Sequence, residues 1–290
     1  MSERITISAP DGRALEVELT GPPAGEVVLF HTGTPSGGTM LSEHVAAGAE
    51  RGLRHITYAR PGYAGSDRLA GRSVADCAGD VVAIADAFGV ERFYTVGWSG
   101  GGPHALACAA LLPGRVVAAA SLAGVAPREA DGLDWVDGMG EENIAELDAA
   151  DAGEEALESW MEENAPGLAA VQADALQADL GDLLSPVDRA SLTGGFADHL
   201  ASEFRRALLN GYWGWFDDDL AFARGWGFDL GAIGCPVSIW QGGEDRFVPF
   251  GHGEWLARAV PAARSRLRPD QGHLSLTIGA YGELLDDLTG

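Results

Sequence analysis

Ser99 sits in Gly97-Trp98-Ser99-Gly100-Gly101. This G-x-S-x-G spacing marks a turn in which a serine can serve as a nucleophile. The hydroxyl is inert until a base takes its proton and the backbone presents it at a sharp angle. The flanking residues fit that need. Arg92-Phe93-Tyr94-Thr95-Val96 reads as a buried strand. Pro103 to Leu112 reads as a helix with proline in its first turn, where the missing N–H costs nothing. A tight turn between the two demands small neighbours, which the glycines supply. The start of the helix then points free N–H groups at negative charge developing beside the serine.

A serine nucleophile also needs a base and a third group to hold that base. In a doubly wound sheet these groups lie on loops at the carboxyl ends of strands. The chain offers them in the order Ser, acid, His. Glu244 and Asp245 follow the apolar run Val237-Ser238-Ile239-Trp240, and Asp270 and His273 lie beyond a further strand. Glycines beside both segments allow tight turns from which a side chain can project. Asp270 is too close in sequence to His273 to brace it from the far side. Among the other histidines, His104 falls in the helix after Ser99, where it packs or caps, and His252 falls at a helix start.

The elements that must position these groups are legible as patterns. Arg4 to Ser8 and Ala14 to Leu19 alternate around Pro10-Asp11-Gly12, which predicts an antiparallel hairpin with one wet face. Continuous apolar runs at Val27–Phe30, His55–Tyr58, Phe93–Val96, Val116–Leu122 and Val237–Trp240 suit parallel strands buried on both faces. Helical stretches at 42–51, 73–88 and 103–112 lie between them. This alternation predicts an α/β fold, a mostly parallel sheet with helices on both faces. It breaks from 128 to 232. That segment holds 19 acidic and 2 basic residues between 128 and 200, a difference of −17 in a chain whose net charge is −24. Helix-like stretches run from Glu154 to Asn164 and from Ala201 to Asn210, and the segment closes on Tyr212, Trp213, Trp215, Phe216, Trp226 and Phe228. Solvated acidic helices and aromatic packing onto the core are the expectation, with some of the aromatic rings at a pocket beneath the insert.

Composition closes off several function classes. A chain this acidic repels nucleic acid and anionic membrane surfaces. No apolar run is long enough to span a bilayer, and the N-terminus lacks the basic-then-apolar pattern of a secretory signal. All 19 basic residues are arginine, so P-loop, pyridoxal Schiff-base and Ser-x-x-Lys chemistry cannot occur. Cys77, Cys108 and Cys235 are widely spaced and odd in number, as for reduced thiols in a cytoplasmic protein. No metal-ligand spacing and no G-x-G-x-x-G after a strand is present, so neither metal nor cofactor is expected. Self-association into a homo-oligomer is left open.

Together these motifs resemble the α/β-hydrolase fold family, in its capped serine-hydrolase branch. The likeness rests on Gly97-Trp98-Ser99-Gly100-Gly101, on Gly243-Glu244-Asp245-Arg246-Phe247-Val248-Pro249 and on Gly272-His273. Arg60-Pro61-Gly62-Tyr63-Ala64-Gly65-Ser66 and His31-Thr32-Gly33-Thr34-Pro35 add to it. It covers nearly all of the chain outside the insert. The resemblance implies Ser99 as nucleophile, His273 as general base and Asp245 as orienting acid, Asp245 being chosen over Glu244 for its spacing to Val248-Pro249. It implies an oxyanion hole from the Gly100 N–H and a donor in the loop after the third strand. That loop carries one residue more than the usual His-Gly-x-Pro, so Thr34 is the first choice and Gly33 the alternative. His31 is expected to shape this loop by hydrogen bonding. Ala59 stands where relatives often carry Asp, a change expected to affect the loop more than the chemistry.

The resemblance implies a core of residues 1–127 and 233–290 and a helical cap of 128–232. Trp98, Trp213 and Trp215 are expected to contact a small-molecule substrate. A small, mostly apolar carboxylic ester, cleaved through an acyl-enzyme, is the leading expectation. Gly100-Gly101-Gly102-Pro103 also resembles proline iminopeptidases, whose caps need acids to hold a substrate ammonium. A lactonase, a C–C-bond hydrolase and a ligand receptor on the same fold are the remaining alternatives. The serine at the elbow is unlike the aspartate of haloalkane dehalogenases and epoxide hydrolases.

Overall fold

The computed structural model describes residues 2–290. One eight-stranded sheet runs through the molecule in the order β1-β2-β4-β3-β5-β6-β7-β8. Its strands are β1 (Ser2–Ser8), β2 (Ala14–Thr20), β3 (Glu26–His31), β4 (Leu53–Tyr58), β5 (Phe93–Trp98), β6 (Val116–Leu122), β7 (Val237–Gly242) and β8 (Arg264–Arg268). The β1–β2 hairpin and the β2–β4 pairing are antiparallel, and the other pairings are parallel. The hairpin and the buried runs thus stand where alternation and apolar continuity place them.

Five helices cover the sheet. On one side lie α1 (Ser42–Glu50) and the last helix, Ser275-containing His273–Thr289; on the other lie α2 (Cys77–Ala87), α3 (Gly101–Leu111) and Phe250–Ala259. The pleat sorts the side chains: Val27 and Leu29 enter the core with α2 and α3, while Val28 and Phe30 enter the core with the final helix. Both faces are therefore apolar, as a parallel strand requires.

The segment between β6 and β7 is helical: α4 (Glu141–Ala152), α5 (Glu154–Ala170), α6 (Leu176–Asp179), α7 (Pro186–Ser191), α8 (Gly194–Ala207) and α9 (Trp213–Ala223), before α10 (Phe250–Ala259) and α11 (His273–Thr289). The helix-like stretch expected from Glu154 to Asn164 runs on to Ala170 as α5, although Pro166 inside it lacks an N–H. The aromatic cluster proves to be largely a helix, α9, with Trp215, Phe216 and Leu220 buried against Tyr63 and Ala59 of the core. Among the described residues no helix is long and apolar enough to cross a membrane.

The strand order reverses around β3. The chain passes from β3 to β4 on one side and then crosses to β5 on the other. At such a reversal the loops leaving two neighbouring strands part in opposite directions and open a crevice at their carboxyl ends. Those loops hold His31–Pro35 and Trp98–Gly101.

Candidate active site

Ser99 adopts φ 55°, the left-handed region that a residue with a Cβ rarely enters. Such a conformation persists only where its surroundings enforce it. Here the Ser99 N–H donates to the Leu122 carbonyl (2.9 Å), and the Gly102 N–H donates to the Ser99 carbonyl (2.8 Å). A methyl group at Gly97 would overlap the Gly101 backbone, and one at Gly101 would overlap the His31 carbonyl. The glycines of the motif are thus fixed by close backbone approach.

Asp245 follows β7 and is buried, whereas Glu244 and Asp270 are exposed. Its Oδ2 lies 2.8 Å from His273 Nδ1. Oδ2 also accepts from Gln241 Nε2 (2.9 Å), and Oδ1 accepts from the N–H groups of Phe247 (2.9 Å) and Val248 (2.8 Å). Burial pushes the Asp245 carboxyl up, while His273 and the Val248 N–H pull it down; it stays above its ordinary value. The imidazole of His273 is stacked on Phe247, 4.7 Å between centroids, and tilted against Trp98 at 5.5 Å. Ser99 and His273 line the same small cleft of about 70 Å³.

The rival histidines are engaged elsewhere. His104 Nδ1 lies 2.8 Å from the Gly100 carbonyl, and burial pushes its pKa down to about 3. His252 Nδ1 accepts from the Ala126 N–H (3.0 Å), so Nε2 carries the proton toward the Trp135 carbonyl (2.8 Å); burial pushes its pKa down to about 4. His31 departs from expectation. Its Nε2 lies 3.7 Å from Cys108 Sγ, its Nδ1 has no partner among the described residues, and its ring packs on Tyr58 and His104 beneath α3. The loop after β3 is instead held by Arg60, which donates to the carbonyls of Thr32 (2.5 Å) and Gly33 (2.8 Å) and to Thr34 Oγ1 (2.8 Å).

Arg60 is anchored in turn by Asp218 of α9. Asp218 Oδ2 accepts from Arg60 Nη2 (2.6 Å), Tyr63 (2.9 Å) and the Thr34 hydroxyl (2.9 Å), while Oδ1 accepts from Arg72 Nη1 (2.5 Å). Gly33 abuts Ser99, since a methyl there would stand 3.4 Å from Ser99 Cβ. A methyl at Gly100 would overlap the Thr34 side chain. Gly33, Thr34, Gly100 and Ser99 are therefore one contiguous patch.

A second cavity of about 420 Å³ meets the small cleft at Ser99, Thr34, Pro35, Leu180, Phe204 and Phe247. Trp98 lines the small cleft and Trp215 the large cavity. Trp213, expected at the substrate, lines neither cavity; its ring instead carries the Arg68 guanidinium 4.0 Å from its centroid. It opens α9 on the outward-facing side, where an ion pair of Arg68 with Asp217 holds the guanidinium over the ring.

The large cavity has apolar walls from Val125, Met139, Leu147 and Phe222, but four acidic residues, Glu142, Glu146, Asp179 and Asp219, also line it. Glu146 Oε1 accepts from Trp215 Nε1 (2.6 Å), and Asp219 Oδ2 is buried without a donor among the described residues. Burial raises both, and for Asp219 the neighbouring Glu146 charge adds to the rise. At these two groups the native state holds protons that the unfolded chain has released once pH exceeds the ordinary carboxylate range, so their contribution to stability falls as pH rises. Asp219→Asn is expected to flatten that decline between about pH 5 and pH 8. Thermal melts across pH check this; an unchanged slope would show that the pair ionises freely.

None of Asp218, Asp219 or Glu146 emerged from motif reading. The available signal was Asp217-Asp218-Asp219 flanked by Trp213-Gly214-Trp215-Phe216 and Leu220-Ala221-Phe222. Three acids inside an apolar helix must be paired or kept protonated.

The alpha/beta hydrolase fold family model matches residues 26–280. The chain belongs to the alpha/beta hydrolase fold family. The chain is 36% identical over 104 residues to the inferred carbamate hydrolase RutD of Variovorax paradoxus, a match that spans 35% of the chain and only 39% of that relative. Among solved structures it superposes on an enol-lactonase from Burkholderia xenovorans with a TM-score of 0.71 at 17% identity, covering 98% of this chain and 99% of that one. An esterase from Exiguobacterium antarcticum gives a TM-score of 0.69 at 20% identity, covering 99% of this chain and 100% of that one.

Proposed function

We propose that this enzyme is a serine hydrolase that cleaves small, mostly apolar carboxylic esters through an acyl-enzyme. Ser99 attacks the acyl carbon. His273 takes its proton through Nε2 and returns it to the leaving alcohol, and then activates the water that releases the acid. Asp245 fixes the imidazole tautomer and stabilises its charged form. The backbone N–H of Gly100 and one from Thr34 or Gly33 receive the oxyanion; each such donor contributes roughly 3–4 kcal/mol to the transition state. Residues 128–232 act as a cap whose underside, with Trp215 and Trp98, chooses the substrate. The small cleft and the larger cavity on either side of Ser99 take the two halves of the ester.

The observation that carries this reading is the buried 2.8 Å Asp245–His273 contact, with Ser99 held at positive φ on the wall of the same cleft. A fluorophosphonate probe is expected to label the wild type and to leave Ser99→Ala unlabelled. Equal labelling of both proteins would end the proposal.

The Glu146–Asp219 pair favours a second reading, an aminopeptidase of the proline iminopeptidase type. A protonated amine in the large cavity would replace the proton that the two carboxyls must otherwise hold, and the Trp160 and Trp215 rings, edge to face at 5.4 Å, stand beside it. Parallel assays on p-nitrophenyl butyrate and prolyl p-nitroanilide divide the readings. Turnover of the anilide that Glu146→Gln removes while sparing the ester would select the second.

A further inference from the structure

Asp188 is fully buried, and its carboxylate lies outside both cavities described above. It belongs to α7, in the segment between β6 and β7, and it ends on a helix of the core. Oδ2 accepts from the His273 N–H (2.8 Å), and Oδ1 accepts from the N–H groups of Leu274 (2.9 Å) and Ser275 (2.8 Å). These are the unsatisfied donors of the first turn of α11, which begins at His273. The carboxylate thus caps, from 85 residues away, the helix that carries the proposed base. It also offsets the positive end of that helix beside an imidazole that must become cationic during turnover.

Both ends of this contact are fixed. Gly272 passes so close under α7 that a methyl group there would overlap the Asp188 carboxylate. The Gly272 N–H is taken by Ser275 Oγ (2.7 Å), which closes the turn entering α11. On the other side, α7 is tied into the cap: Arg189 donates to the carbonyls of Gln177 and Gly181, and Gln177 donates to those of Arg189 and Leu192. The backbone that aims the His273 ring at Asp245 is therefore held from within the cap.

We propose that Asp188 is a positioning residue that couples the seating of the cap to the aim of His273 on Asp245. This rests on His273 acting as the base. A cap displaced at α7 would release the first turn of α11 and let the imidazole drift from its partner. The enzyme is then competent only with α7 docked, and substrate entry must proceed by movement elsewhere in the cap.

The test uses the full chain with Asp188→Asn, which keeps the shape but turns an N–H donor toward the helix N–H groups. Turnover of p-nitrophenyl butyrate is expected to fall at least roughly 10-fold in kcat, with KM within about twofold, because a misaimed base slows chemistry without altering the cavities. The fluorophosphonate labelling rate should fall in parallel. In proton NMR, the downfield His273 Nδ1–H resonance should broaden or vanish. A purely structural cap would lower the melting temperature and leave this resonance and kcat in place, and that result overturns the proposal. Gly272→Ala supplies a second arm by pushing the carboxylate away. Its loss should be large in the wild type and small in an Asp188→Ala background, whereas additive losses would overturn the coupling. The NMR arm reads the aim of His273 even if Ser99→Ala shows that hydrolysis proceeds by another route.

Discussion

Asp245→Asn is expected to lower kcat by on the order of 10⁴-fold while leaving KM nearly unchanged. The reason lies in how the four donors around Asp245 are arranged. The Oδ1 side accepts two backbone N–H groups, from Phe247 and Val248, which cannot turn away. An asparagine must therefore place its carbonyl there and its NH₂ where Oδ2 now sits, facing His273 Nδ1. The imidazole then has to accept at Nδ1 and carry its proton on Nε2. In that tautomer it cannot take a proton from Ser99. Steady-state kinetics on an activated ester measure the effect, and a loss below about 10-fold would remove Asp245 from the role given to it.

The second large effect is on stability. Asp218→Asn is expected to cost about 3–5 kcal/mol, because it leaves the Arg60 and Arg72 guanidiniums buried beside a neutral amide. For a chain of this size that corresponds to a drop in Tm of roughly 5–8 °C. Burial alone would raise the Asp218 carboxyl, but the two arginines outweigh it and hold the group well below the usual carboxylate range. A depressed native pKa contributes stability that is present above the unfolded value and lost only as pH falls through the native one. The gap in Tm between wild type and variant should therefore be flat from about pH 5 to pH 8. Calorimetry checks both statements; a gap that closes near neutrality would mean that Asp218 is not the counter-ion of the pair. Activity should fall as well, since Arg60 also holds the carbonyls of Thr32 and Gly33 beside Ser99.

Asp188 and Asp218 show a common feature of the helical segment between β6 and β7. Each reaches from a helix of that segment to a stretch of chain adjoining Ser99 or His273, one at the start of α11 and the other at the loop after β3. The segment is thus joined to the rest of the molecule by buried carboxylates as well as by the apolar cluster that Leu41, Trp98 and Leu274 form with α8.

Local chemistry made the core strands and the elbow legible in the sequence, while the pairing of Asp245 with His273 was an expectation carried by the family resemblance. A strand buried on both faces must be a continuous apolar run, and a turn with backbones in contact must be glycine; both requirements leave a mark within a few residues. The helical extent of α5 past Pro166, the helix hidden in the aromatic cluster and the partner of His31 left no such mark. Trp213 and Trp215 read alike in sequence, yet two positions along α9 turn one toward the cavity and the other toward Arg68. The sequence by itself determined that this chain folds as an α/β hydrolase with a serine at the elbow, because that information is carried by adjacent residues. Only the tertiary structure decided what the other buried acids meet, since Asp188, Asp218 and Glu146 acquire their partners through contacts between segments far apart in the chain, and nothing in local spacing records where a folded helix will come to rest.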